Sequence, residues 1–290
     1  MKGFEMYNPI AVAVWFLSAV GIAMFSMNPI ILTASFLGAV LFLLLNNKNN
    51  LIKFNLYVML LFIVMAILNP LFNHNGGTVL FIMNDLPITL EALIYGAFSA
   101  LMIVSVVYHF RNFSDIMTED KLLYIFGGLS PGLSLVLSMA LRYVPLMTRQ
   151  IKKTENSQKA LGLYKEDNII DKIKGRLSIF GIIVTWSLEN GIITADSMTA
   201  RGYGTGKRSR YSLFKWRKRD ILLFIFTAVL FLITLMFLQD TACEYYPIFK
   251  LPELTVKNLT AYISYGILVL VPVFIEIKEA IKWKCLQSKI

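Results

Sequence analysis

The chain has 290 residues, 57% of them apolar and only 16% charged, where an ordinary soluble domain carries about 25% charged residues. Its mean hydropathy is +0.63 and its formal net charge +10. A soluble fold of this length could not hide so much apolar surface, and the apolar residues come in long blocks. Soluble globular domains and disorder are therefore excluded, and the composition points to an all-α, polytopic membrane protein.

The first apolar block runs from Ile10 to Met27 and the second from Pro29 to Leu45. Each is near the lower end of the roughly 17–25 residues that a spanning helix needs. Asn28-Pro29 between them is a turn signal, so the pair reads as a tight helical hairpin. Lys48 and Lys53 flank a third block, Leu51 to Leu68, which stops at Asn69-Pro70. Residues 70–87 read as a loop around Asn73-His74-Asn75-Gly76-Gly77, without a lysine or arginine. His74 reads as a solvated loop residue. A fourth block covers Leu86 to Phe110.

A basic segment follows. Residues 111–220 hold 19 of the 28 Lys+Arg and 10 of the 18 Asp+Glu, which is nine of the ten excess positive charges. Such a segment could meet nucleic acid, anionic lipid or an acidic protein. Between membrane spans it reads as a cytoplasmic domain, with no nucleic acid expected. Two further blocks, Ile221 to Leu238 and Leu259 to Ile277, lead to a C-terminus carrying Lys278, Lys282, Lys284 and Lys289. The chain thus divides into N-terminal transmembrane helices at 1–110, the basic segment at 111–220, and C-terminal transmembrane helices at 221–290.

Lysine- and arginine-rich loops stay in the cytoplasm. Placing 46–53, 111–220 and 278–290 inside puts 28–29, 70–87 and 239–257 outside. Six spans satisfy this with both termini cytoplasmic. Cys243 and Cys285 then fall on opposite sides of the bilayer, so no disulfide is expected. A cleaved leader is not expected either, because the first apolar block continues directly into further spans.

The basic segment is not polar throughout. Leu133, Leu137, Ala140, Val144, Met147 and Ile151 recur at helical spacing on one stripe. A second stripe runs Ile170, Ile173, Leu177, Phe180, Val184, Leu188, Gly191, Ala195, Met198. A helix over 168–201 would be roughly 50 Å long, with Lys172, Arg176, Glu189 and Asp196 on its polar face. A rival reading has 177–195 span the bilayer. That would separate Lys207–Arg219 from Lys152–Arg176 and place Glu189 in or near lipid, at a few kcal/mol. A long amphipathic helix on the cytoplasmic face, or packed on its twin, is the preferred reading. Pro145 is expected to kink the first of these helices.

Enzyme signatures are absent. Gly202-Tyr203-Gly204-Thr205-Gly206-Lys207 is glycine-rich, but a phosphate-binding loop needs glycine where Arg201 stands and Ser or Thr where Arg208 stands. The only histidines, His74 and His109, are far apart, and no metal-binding or nucleophile motif occurs. The two amphipathic helices end alike, in Gln158-Lys159-Ala160-Leu161-Gly162 and in Thr199-Ala200-Arg201-Gly202-Tyr203. Glycine just past a helix end is an ordinary cap. An arginine between a small residue and a glycine can also carry its guanidinium on a helix tip into a groove, to meet a carboxylate bidentately.

The stretch from Leu141 to Tyr203 resembles the transmembrane T component of energy-coupling factor (ECF) transporters, the CbiQ/EcfT-like family. The likeness rests on Leu141-Arg142-Tyr143-Val144-Pro145, Ala160-x-Gly162, Thr185-Trp186-Ser187-Leu188-Glu189-Asn190, and Ala195 through Gly204. Asn69-Pro70-Leu71-Phe72 and Pro87-Ile88-Thr89 agree in the front half. The resemblance implies a non-catalytic subunit without cofactor or metal. Two coupling helices, about 132–161 and 168–201, would each end in an Ala-Arg-Gly tip docked in one of two cytoplasmic ABC ATPases. The same subunit would hold a membrane-embedded S component that binds a vitamin or a transition-metal ion. Ala200, Arg201 and Gly202 match the second tip. Ala160, Leu161 and Gly162 match the first with leucine in place of arginine, where either Lys159 supplies the charge or the dock is hydrophobic. Small residues on the greasy faces (Ala140, Gly191, Ala195), with Val144, Pro145, Val184 and Leu188, would serve close packing against the S component and each other. A self-contained secondary transporter is the alternative, and it should show ionisable residues at mid-span and broken helices. The blocks here hold almost none, with Glu91 and His109 near their ends.

Overall fold

The computed structural model describes residues 3–46, 51–83, 86–129, 131–162, 169–206 and 214–287. The start of the second coupling helix at 168, the basic residues 207–213 and the lysines at 48 and 289 lie outside them. The described residues form nine α-helices and one β-hairpin: α1 (Pro9–Phe25), α2 (Pro29–Asn46), α3 (Leu51–Phe72), β1 (Val79–Met83), β2 (Leu86–Thr89), α4 (Leu90–Ile116), α5 (Glu119–Leu129), α6 (Pro131–Ala160), α7 (Ile169–Ala200), α8 (Lys218–Leu238) and α9 (Val256–Gln287). They fall into two compact units, Glu119–Leu213 and the remainder of the chain.

Among the described residues six helices are long and apolar enough to cross a membrane: α2, α3, α4, α7, α8 and α9. Five of them carry expected spans. The first expected span is α1, whose 17 residues give about 25 Å of helix and fall just short of that length. α7 meets the same length and apolarity criteria with 32 residues.

In the larger unit the helix starts are set by sequence. Asn8 and Asn28 each precede a proline that opens a helix, and each side-chain Oδ1 accepts from a backbone N–H two residues on, Ile10 at 3.0 Å and Ile30 at 2.8 Å. Asn28 Nδ2 then donates to the Thr241 carbonyl and to the Tyr262 hydroxyl, both at 2.8 Å, so this turn is tied to the chain between α8 and α9. α2 packs between α4 and α9, and α8 packs on α1 and α9. Trp15 and Tyr265 are fully buried where α1 meets α9. Trp15 Nε1 donates to the Leu268 carbonyl at 2.8 Å and the Tyr265 hydroxyl to Ala19 at 3.1 Å. Ser105 donates to Ser35 at 2.7 Å, and Ser35 meets His109 Nε2 at 3.1 Å.

Two expectations for residues 66–90 are corrected. α3 does not stop at Asn69-Pro70 but continues to Phe72, with Asn73 N–H donating to the Asn69 carbonyl. Proline frees the carbonyl four residues earlier, here Ala66. Gly96 of α4 lies against that freed carbonyl, and a Cβ built on it would sit 2.7 Å from the Ala66 oxygen. Neighbouring helices make an internal proline tolerable in this way. The supposed loop 70–87 also contains structure. β1 and β2 pair antiparallel, with Phe81 opposite Ile88, and β2 replaces the expected first turn of the fourth span. Thr89 caps α4, accepting from Ala92 N–H at 3.3 Å and donating to the Asn75 carbonyl at 2.8 Å. The buried Glu91 carboxylate takes the Thr78 hydroxyl at 2.9 Å. Asn73-His74-Asn75-Gly76-Gly77 signals turns and makes Val79–Met83 read as loop, while Leu86–Thr89 reads as the start of the fourth apolar block.

Candidate functional site

The smaller unit, Glu119–Leu213, holds α5, α6 and α7. α6 carries Pro145 inside an uninterrupted helix. α6 and α7 pack antiparallel. Near one end the Tyr143 hydroxyl lies 2.8 Å from Thr194 Oγ1 and 3.4 Å from the Asn190 carbonyl. Near the other, Ile151 and Glu155 share a groove of about 390 Å³ with Lys172, Arg176, Ile179, Phe180 and Ile183. Gly175, Ile179 and Ile183 are the buried residues of α7 among those described.

The face of α7 that meets α6 is therefore 175-179-183, continued by Asn190 and Thr194. It overlaps only in part with the apolar stripe, whose Phe180, Gly191, Ala195 and Met198 line the grooves beside it. Leu177, Phe180 and Leu188 on that stripe are 63%, 66% and 65% exposed, and Val184, Gly191 and Ala195 are exposed too. On α6, Ala140, Val144 and Pro145 are likewise exposed. These faces therefore meet only along the grooves, through Ile151 and Phe180 and through Gly191, Ala195 and Met198. The pairing face combines Gly175, Ile179 and Ile183 at four-residue spacing with Asn190 and Thr194 beyond them, while Leu177 and Leu188 lie outward. Gly191 and Ala195 also line, with Tyr143, Met198 and Tyr203, a second groove of about 300 Å³ between the helices.

Each helix closes on a left-handed glycine. At the end of α7, Gly202 has φ +78°, its N–H donates to the Thr199 carbonyl at 2.9 Å, and Tyr203 N–H donates to Met198 at 3.0 Å. This pair of bonds is the Schellman arrangement, and Met198 and Tyr203 also line one groove, which supplies its usual apolar contact. At the end of α6, Gly162 has φ +68° and donates to the Lys159 carbonyl at 3.1 Å. The backbone is thus turned sharply away at both ends, and the residue before each glycine stands on the tip.

Those residues differ. Arg201 is exposed, and its guanidinium has no ion-pair partner among the described residues. Leu161 is 72% exposed. Ala160 and Ala200, each the last residue of its helix, are exposed and keep bulk away from the tips. Lys159 Nζ lies 2.9 Å from Glu155 Oε1, one turn back on α6. An exposed pair of this kind contributes about 0.3–0.5 kcal/mol, so it biases Lys159 along its own helix without holding it there.

Because α6 and α7 run antiparallel, the tips lie at opposite ends of the pair. Met198 shares a groove with Met139, and 21 residues of α6 separate Met139 from Ala160. At 1.5 Å per residue the two tips are about 30 Å apart along the pair. Among the described residues no three His, Cys, Asp or Glu side chains gather as a metal site.

Residues 6–213 match the family described as cobalt transport protein, CbiQ. Similar curated proteins include the energy-coupling factor transporter transmembrane protein EcfT of Streptococcus equi subsp. equi, 28% identical over 184 residues, which is 58% of this chain and 67% of that protein. EcfT of Listeria innocua is 31% identical over 183 residues, 58% of this chain and 68% of that protein. EcfT of Streptococcus thermophilus is 35% identical over 104 residues, 35% of this chain and 39% of that protein. The match thus spans about two thirds of the first two relatives and well under half of the third. With six helices apolar enough to cross a membrane and a separate unit built on two long helices, the chain belongs to the CbiQ family, as a transmembrane T component of the energy-coupling factor type.

Proposed function

We propose that the chain is the non-catalytic coupling subunit of an ATP-driven uptake transporter in the cell membrane. Two cytoplasmic ABC ATPase subunits hydrolyse ATP, and each receives one helix tip: Ala200-Arg201-Gly202 in one groove and Ala160-Leu161-Gly162 in the other. A membrane-embedded S component binds the vitamin or transition-metal ion and rests on the exposed apolar stripe of α7. Both termini and residues 111–220 lie in the cytoplasm.

The observation that carries this reading is the pair of glycine-closed tips about 30 Å apart. Tips that far apart cannot enter one groove, so they suit two subunits side by side. A movement that brings the ATPases together would drive the tips toward each other and change the crossing of α6 and α7. The narrow contact between them, a hydroxyl pair at one end and Ile179 and Ile183 at the other, suits such sliding. The unequal tips favour two non-identical ATPases, one offering a carboxylate to Arg201 and one an apolar groove to Leu161, with Lys159, paired to Glu155 on its own helix, beside it.

Affinity purification of the tagged chain in mild detergent tests this. Two ATPase chains and a small hydrophobic membrane protein should co-purify. Recovery of the chain alone from cells that take up substrate through it would refute the proposal.

A further inference from the structure

The larger unit has a second built feature, remote in sequence from the coupling tips. The N-terminal turn Phe4–Met6 is pinned to α9, where the Glu276 carboxylate accepts from Gly3 N–H and Phe4 N–H, both at 3.0 Å. Arg219, in the first turn of α8, reaches the same turn. Its Nη2 donates to the Met6 carbonyl at 3.0 Å, and its guanidinium lies over the Tyr7 ring at 5.0 Å. Between these elements is a groove of about 480 Å³ lined by Met6, Arg217, Arg219, Glu279, Lys282, Trp283 and Leu286.

Its chemistry is sorted by origin. Three cations and one carboxylate converge, so the formal charge is positive. Arg219 is fixed by Met6 and Tyr7 and lies 3.7 Å from Asp220 Oδ1, whereas Arg217 and Lys282 are exposed and without an ion-pair partner among the described residues. The other wall is Met6, Trp283 and Leu286, about half exposed at 52%, 45% and 48%. The groove lies where two apolar blocks end. Ile221 begins the apolar run of α8 one turn after Arg217, and Ile277 closes that of α9 just before Glu279 and Lys282. Ile221 and Leu222 are exposed on α8 beside it. Cations and a tryptophan at the end of spanning helices stand at headgroup depth.

We propose that this groove binds the phosphate of an anionic phospholipid headgroup, with Arg217 and Lys282 as the phosphate ligands and Trp283 and Leu286 against the glycerol and upper acyl chain. A phosphate bound there needs cations that internal pairs have not consumed, and the apolar wall selects a phosphate that carries a chain. Clusters of basic side chains between helices at the membrane edge hold anionic headgroups in this manner.

The test uses the full chain, delipidated in detergent and offered phosphatidylglycerol or phosphatidylcholine of identical acyl chains, with retained lipid read by native mass spectrometry. Wild type should retain phosphatidylglycerol at least about tenfold better. Each basic residue near an anionic lipid contributes about fivefold, so Arg217→Gln/Lys282→Gln should weaken phosphatidylglycerol retention by about 30-fold and leave phosphatidylcholine unchanged. Lys152→Gln/Lys153→Gln on α6 is the charge-matched control and should behave as wild type. Equal retention of the two lipids, or a double variant that keeps the preference, overturns the site. Displacement of the lipid by millimolar inorganic phosphate would show that free phosphate is the ligand and would overturn the lipid assignment.

Discussion

At the residue scale the coupling reading turns on Arg201. Its place between Ala200 and a glycine with φ +78° puts a guanidinium on a convex tip that backbone hydrogen bonds hold in shape. An arginine there can give two parallel hydrogen bonds to one carboxylate, which a lysine cannot. Losing one partner of a buried charged pair costs about 2–5 kcal/mol. Arg201→Ala should therefore lower ATPase co-purification and nearly abolish uptake, while the protein still reaches the membrane in normal amount. Arg201→Lys should restore part of both. Gly202→Val should be as severe for another reason, since a β-branched residue resists positive φ and the Schellman bonds would open. Leu161→Ala should cost less, because the first tip gives up apolar area and no ion pair. If Arg201→Ala matches wild type for ATPase recovery and uptake, the Ala-Arg-Gly end is a helix cap and nothing more.

At the scale of elements, close approaches decide what can change. Gly96 on α4 faces the carbonyl that Pro70 leaves free on α3, and Gly96→Ala would press a methyl 2.7 Å from the Ala66 oxygen. Overpacking of this kind costs about 1–3 kcal/mol, so the melting temperature in detergent should fall clearly. Gly21→Ala on α1 meets nothing within 4 Å and should leave it unchanged or slightly higher. Between α6 and α7, Tyr143→Phe removes the hydroxyl contacts to Thr194 and Asn190 and should cost about 1 kcal/mol. Limited proteolysis of residues 119–213 should then quicken. These elements also show what the sequence could reveal. The break at Asn28-Pro29 was legible because asparagine and proline together signal a turn, whereas Asn8-Pro9, which opens α1 in the same way, lies just before the apolar block that begins at Ile10. The long helices α6 and α7 were legible from apolar spacing, and their ends from glycine. The hairpin at 79–89 was not, because its strand residues are as apolar as the spans beside it and a short apolar run fits either structure. The pairing face of α7 was legible only in part, because Ile179 and Ile183 are as apolar as the stripe beside them and hydropathy alone does not say which apolar face turns to α6.

At the scale of the whole molecule, charge placement bears on specificity and on sidedness. The spans carry almost no charge at mid-depth, so the purified chain alone should bind neither vitamins nor metal ions at micromolar or tighter affinity. Isothermal titration that found such affinity would favour a self-contained carrier. Sidedness follows from lysine and arginine, which are retained on the cytoplasmic face, and cysteine labelling reads it out directly. Native Cys243 is a poor target, because burial pushes its thiol up to about 11 and only about one part in a thousand is thiolate at pH 8. Cys285 is exposed and is replaced by serine. In that background Asn75→Cys and Lys250→Cys, both exposed, should react with an impermeant maleimide on intact cells. Lys250 serves better than Asn258, which is buried and donates to the Glu253 carbonyl. Lys153→Cys, Lys172→Cys and Thr205→Cys should react only after the membrane is opened. The last two decide the place of α7, which is long and apolar enough to cross. A crossing helix would put Lys172 and Thr205 on opposite sides, so external reaction at either one, with Lys153 protected, would make α7 a span. Protection of both until lysis keeps the whole coupling unit on the ATPase side, where a helix tip can meet a cytoplasmic enzyme.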